Sequence, residues 1–262
     1  QSHLSAIRDD AATHWLRHRI TTNPPSFNFV AQLSGNFGLG MAARNTFTSL
    51  DARGIPMRVS DVIIPGQQRG GEVTTHCSPG QNDAHRNPHP INFFHLNPTE
   101  ILWHLWHSPG FGHRNRINVA LPFWEIEDLP DSWTEVLGGM DVVLTPTSFV
   151  ADAVRRSLPS ARIMIAPQSV ALPPRVTADR ARWDLPDSAT VFATSFDLAS
   201  DVSRKNPMAT IKAFQKAFPD GQDVRLVLKT QPCVTPELKA AVIEKFERDN
   251  GLHFKPENIL VS

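Results

Sequence analysis

The chain has 262 residues, 40% of them hydrophobic and 20% charged, a globular rather than a disordered balance. Lysine plus arginine and aspartate plus glutamate both number 26, so no bulk charge draws the chain toward nucleic acid. Cys77 and Cys233 are too few and too far apart for a disulfide scaffold, and no apolar run reaches the roughly 18 residues of a membrane span.

In chain order, residues 1–20 read as a polar helix and 21–26, with two prolines, as a linker. Strand 27–33 follows, then the turn Ser34-Gly35-Asn36-Phe37-Gly38-Leu39-Gly40, then a helix over 41–53 ended by Gly54. Three glycines between strand and helix allow positive φ and a close approach of a ligand's phosphates or sugar to the backbone. The spacing is neither the dinucleotide-binding G-x-G-x-x-G nor a Walker P-loop. A strand near 57–63 completes a βαβ unit. The stretch from Pro65 to Pro90, rich in Gly, Pro, His and Asn, is too long for a plain connection.

Strand 91–96, helix 98–107, strand 117–123, a short helix from Asp131, strand 141–145, helix 148–157 and strand 162–166 come next. Such alternation predicts an α/β fold with a parallel sheet wrapped by helices. A second series begins with a strand over 191–196 that reads as buried, followed by helix 207–218, strand 224–229, helix 236–249 and strand 258–261. The expected organisation is an N-terminal helix and linker over 1–24, a first domain over 25–167, a link over 168–184 and a partial second domain over 185–262. Beginning at Gln1 and stopping at Ser262 just after a strand pattern, the chain reads as a piece of something longer.

The stretch VFATSFDLASDVSRKNPMATIKAF (191–214) carries the sharpest chemistry. A polar loop ends in Arg204 and Lys205, Asn206 is placed to cap a helix, and Pro207 opens it. Two cations beside a helix N-terminus suit a diphosphate, with a solvated basic turn as the plain alternative.

Four stretches together resemble a family-4 glycosyltransferase of the two-domain GT-B fold: AQLSGNFGLGMAARN (31–45), INVALPFWEIEDLP (117–130), DVVLTPTSFVADAVRRS (141–157) and SFDLASDVSRKNPMATIKAF (195–214). The resemblance implies two Rossmann-like domains facing a cleft, the second incomplete here. It also implies sugar transfer from a nucleoside diphosphate sugar, with retention of configuration, to a glycan, a lipid or another hydroxyl compound. By resemblance, Gly35, Asn36, Gly38 and Gly40 form the loop near the donor, and Lys205 and Arg204 neutralise its diphosphate. No metal or other cofactor is implied. Where many members have a histidine, this chain has Pro122-Phe123-Trp124-Glu125, so Glu125 is the catalytic candidate there and Trp124 a binding one. The paired glutamates of the family's donor domain would lie beyond Ser262.

Seven of the eleven histidines fall between His76 and His113. Among them His95, with Asn97 just beyond, closes a strand at a place where α/β sheets bind ligands, and the alternative is a core histidine. Phe94, Trp103 and Trp106 read as core. The expected partners are a nucleotide sugar and a carbohydrate or lipid-linked acceptor, without nucleic acid; peripheral membrane association stays open. The expected location is cytoplasmic. Two other readings also stay open, a GT-B-like sugar-nucleotide epimerase and a non-catalytic sugar-binding or scaffolding module.

Overall fold

The computed structural model describes residues 25–66, 87–170, 177, 179–183, 185–196, 205–219, 223–229, 240, 243–244, 247–248 and the backbone of 259–261. The predicted N-terminal helix, residues 67–86 of the long stretch between Pro65 and Pro90, Arg204, both cysteines and most of helix 236–249 lie outside the described residues. The chain divides into two compact units, Gln1–Pro173 and Pro174–Ser262, each with a parallel sheet of its own.

In the first unit the elements run β1 (Phe27–Ala31), α1 (Gly38–Asp51), β2 (Met57–Asp61), β3 (Ile91–His95), α2 (Pro98–His107), β4 (Ile117–Ala120), α3 (Asp131–Gly138), β5 (Val142–Thr145), α4 (Ser148–Ser157) and β6 (Ile163–Ile165). The six strands lie in the order β2-β1-β3-β4-β5-β6, every neighbouring pair parallel. This is a Rossmann-like sheet flanked by helices. All of β3, and all of β1 but Phe27, is buried, as strands covered on both faces must be.

The pleat divides those strands between two cores. Phe29, Ala31 and Phe93 pack with Ala43 and Phe47 of α1 on one face. Val30 and Phe94 pack on the other with Ile101 of α2, Leu137 of α3 and Val154 of α4. Trp103 half-buries against this second core, whereas Trp106, read from sequence as core, is 84% exposed.

Local rules account for the element ends. Thr147 caps α4 by accepting from the Val150 N–H at 3.3 Å, and Gly54 follows α1 with φ +65°, a conformation glycine adopts without steric cost. Helix α1 starts at Gly38, not at 41, and so takes in the last glycines of the turn. Strand β4 ends at Ala120 rather than 123, because Pro122 has no N–H to give a neighbouring strand.

A ladder of amides, buried at Asn28 and Asn92 and half-buried at Asn118, crosses the amino ends of three adjacent strands. Asn28, Asn92 and Asn118 are in register across β1, β3 and β4. The Asn28 amide donates to Asn92 Oδ1 at 2.8 Å, and the Asn92 amide donates to Asn118 Oδ1 at 2.9 Å. Asn87 and the Gly112 carbonyl join the same network.

The second unit has β7 (Thr190–Ser195), α5 (Pro207–Ala217), β8 (Val224–Lys229) and β9 (Ile259–Val261), with strand order β7-β8-β9, all parallel. Its core gathers Phe196, Ile211, Phe214, Leu226 and Leu228. Strand β7, expected to be buried, is largely exposed; among the described strands it lies at the sheet edge, and Phe192 meets the Phe214 and Phe218 rings while remaining 42% exposed.

Candidate functional site

The strand order reverses once. The chain goes from β1 outward to β2, then returns to the other side of β1 for β3. Parallel α/β sheets bind ligands outside the carboxyl ends of their strands at such a point, where the two connections diverge and leave a crevice. Ala31 and His95, which end β1 and β3, are register partners, so the glycine turn and the Leu96-Asn97 segment flank this place.

The turn is held from three sides. Arg44, one helical turn past Gly40, donates from Nη1 to the carbonyls of Leu33 at 2.7 Å and Gly35 at 2.8 Å. Asp61, at the end of β2, accepts from the Ser34 N–H at 3.2 Å. The backbone of α1 packs directly on the turn, so that a Cβ on Gly40 would run into the Gly35 carbonyl. None of the three turn glycines adopts the positive φ expected of them; Gly54 and Gly66 do. Gly40 is required by close approach, while a Cβ on Gly38 would meet nothing within 4 Å. Asn36 and Gly38 are exposed, Gly35 and Gly40 buried.

Phe37 occupies the N-cap of α1 and brings no capping oxygen, so the first-turn N–H groups are without a side-chain cap. Helix α2 is similar. Asn97 stands at its N-cap, but its Oδ1 accepts from the Phe123 N–H at 2.8 Å, tying the loop after β3 to the loop after β4. Two helix starts thus reach the reversal point with donors unmatched by side chains, a setting that favours an anion.

His95 lies under this surface rather than on it. It is fully buried, its Nε2 is 3.2 Å from the Thr46 hydroxyl, and its ring is edged by Phe29, Phe93 and Phe123. Burial pushes its pKa down to about 4, against a smaller opposing pull from its own backbone, so the ring is neutral. Among the described residues its Nδ1 has no hydrogen-bond partner in the surroundings.

Beyond β4, Trp124 is half-buried against Trp133, with ring centroids 4.5 Å apart, and its Nε1 donates to the Asp128 carbonyl at 2.9 Å. Glu125, next to it, is exposed. Gly35, Asn36 and Gly38 thus follow the carboxyl end of β1, Asn97 that of β3, and Trp124 and Glu125 that of β4, three adjacent strands. Lys205 belongs to the second unit, exposed and just before α5. There Asn206 caps in a left-handed conformation, accepting from the Ala209 N–H at 3.2 Å, and Pro207 is the first helical residue.

Sequence reasoning missed Arg44 and Asp61. The signal for Arg44 was its spacing, four residues after Gly40, which lays its side chain back over the turn. A surface hollow of about 330 Å³ lies elsewhere, between Ile117, Leu137, Met140, Asp141, Leu158 and Arg162. It sits at the amino ends of β4–β6, the end of a parallel sheet that does not form the ligand crevice.

No helix among the described residues is long and apolar enough to cross a membrane. Compared with models of known protein families the chain matches none, and compared with curated proteins it matches none significantly.

Proposed function

We propose that this chain belongs to a retaining glycosyltransferase of GT-B type that uses a nucleoside diphosphate sugar. The observation that carries the reading is the reversal point of the first sheet. A rigid glycine turn and a helix start without a side-chain cap meet there, beside the loops that bear Asn97, Trp124 and Glu125. The capped helix start behind Lys205 in the second unit adds cationic chemistry of the same kind.

The chemical demand is the departing diphosphate, which gathers negative charge as the glycosidic bond breaks. Preorganised N–H groups and cations aimed at that charge are usually the largest catalytic term. In this reading the turn over Gly35–Gly40 receives the donor, Arg204 and Lys205 neutralise its diphosphate, and Glu125 is the carboxylate at the reacting centre. Asn97 and Trp124 shape the floor, and His95 supports it from below.

The test is a panel of nucleoside diphosphate sugars, scored for thermal stabilisation and for turnover by the intact protein. Lys205→Ala is expected to weaken the active donor by ~10–100-fold, the loss of a charge-assisted contact worth roughly 1.5–3 kcal/mol. The melting temperature should hardly move, because an exposed cation at a loop end supports little structure. Unaltered donor affinity in that variant would return Lys205 to a solvated turn.

A further inference from the structure

We infer that Arg44 is a positioning residue: by holding the Leu33 and Gly35 carbonyls it presets the Asn36 backbone N–H as a donor to the anionic oxygens of a bound nucleoside diphosphate. The inference rests on the donor-binding reading of this turn.

The geometry is that of two peptide planes. The first plane carries the Leu33 carbonyl and the Ser34 N–H on opposite edges, and it is gripped at both. Arg44 donates to the carbonyl at 2.7 Å, and Asp61 accepts from the N–H at 3.2 Å. The second plane carries the Gly35 carbonyl and the Asn36 N–H. Arg44 takes that carbonyl at 2.8 Å, and in a trans peptide the N–H points the opposite way. The Asn36 N–H is therefore turned away from Arg44, at a residue that is exposed.

Nothing in the turn is left to rotate this plane back. Gly35 O is also pressed against Gly40, where even a Cβ would not fit. A guanidinium bonded to two carbonyls and set beside Asp61 is a fixed strut, and burial lowers its pKa only against the opposing pull of that carboxylate. A donor whose direction is set before the ligand arrives needs no reorganisation when charge develops on the diphosphate.

The experiment compares the intact wild type with Arg44→Ala, Arg44→Lys and, as a control, Arg53→Ala. Arg53, just past the end of α1, donates from its side chain to the Ser49 carbonyl and should be silent in every measurement. In Arg44→Ala, exchange of the Ser34 and Gly35 amides, which are bonded to Asp61 and to the Gln32 carbonyl, is expected to speed up about 10-fold or more, while the rest of β1 and α1 stays protected. The donor KM is expected to rise roughly 10-fold with the acceptor KM unchanged, since misplacing a contact by even about 1 Å can cost up to 10²-fold. Arg44→Lys, which can still reach one carbonyl, should recover part of both effects, and it serves as the folded variant if the alanine change proves disruptive.

Unchanged exchange at Ser34 and Gly35 would overturn the clamp whatever reaction the protein performs. Faster exchange with an unchanged donor KM, or with both KM values raised together, would overturn its role toward the donor. A wild type that uses no sugar nucleotide would sink the glycosyltransferase reading instead, and exchange would still decide the clamp.

Discussion

Two histidines of the first unit are kept neutral by burial, and this has a consequence in acid. The pKa of His95 and that of His104 are each pushed down to about 4 from 6.5, chiefly by desolvation. The unfolded chain takes up these protons as pH falls below 6.5, while the folded chain refuses them until about 4. Stability is therefore lost across that window and is flat below it. A shift of this size corresponds to about 3 kcal/mol for each ring. Glu100, one turn before His104 on α2, acts with the opposite sign. Burial raises its pKa, so the folded state gains its proton first on acidification and recovers some stability. Among the described residues His104 Nε2 has no hydrogen-bond partner, and its ring packs on Phe94 and Phe111. His104→Leu should therefore cost little at pH 7 and remove about 3 kcal/mol of the loss between pH 7 and 4. Urea unfolding at both pH values would show it, and an unchanged acid sensitivity would mean that the ring titrates normally.

At the scale of elements, the turn between β1 and α1 separates packing from ligand approach. Gly40→Ala forces a Cβ against the Gly35 carbonyl and should destabilise by about 1–3 kcal/mol, the usual cost of overpacking. Gly38→Ala meets open space at a helical position and should stabilise by up to about 1 kcal/mol. If the donor comes down on this turn, the same alanine should weaken its binding, giving a more stable protein that is a poorer enzyme. Thermal midpoints and donor affinities of the two variants would separate these effects. This division was only half legible in the sequence. Periodicity and the turn residues located β1, β3, β5, α2 and α4 to within a residue or two, and Asn206 and Pro207 read correctly as cap and first turn. Which glycine serves packing was hidden, because the reason is a backbone eight residues back in Gln32 and five back in Gly35. Arg44 was missed because its acceptors are main-chain carbonyls, which carry no residue signature. The burial of His95 depends on Phe29, Phe93 and Phe123 from three separate segments, and no local pattern in the chain reports that.

For the whole molecule, the two units differ in how their sheets are specified. Among the described residues of the second unit, an apolar core gathers around Ile211, Phe214, Leu226 and Leu228. The first has apolar layers on both faces and, in addition, the amide ladder of Asn28, Asn92 and Asn118 across its central strands. Apolar side chains tolerate sliding, whereas buried amides do not. Shifting β3 against either neighbour would leave several donors and acceptors unpaired in the interior. Asn92 is the keystone, since it accepts from Asn28 and Asn87 and donates to Asn118 and the Gly112 carbonyl. Asn92→Leu, close in volume and more apolar, should therefore destabilise the first unit by about 3 kcal/mol or more, because the orphaned partners each cost about 1–3 kcal/mol. The loss should be local to that unit. Hydrogen exchange ought to show faster opening of β1, β3 and β4 with β8 unaffected, and a double change of Asn28 and Asn92 to apolar residues should cost less than the two single changes added. Additive losses, or a variant as stable as the wild type, would mean that apolar packing alone sets the register of the central strands.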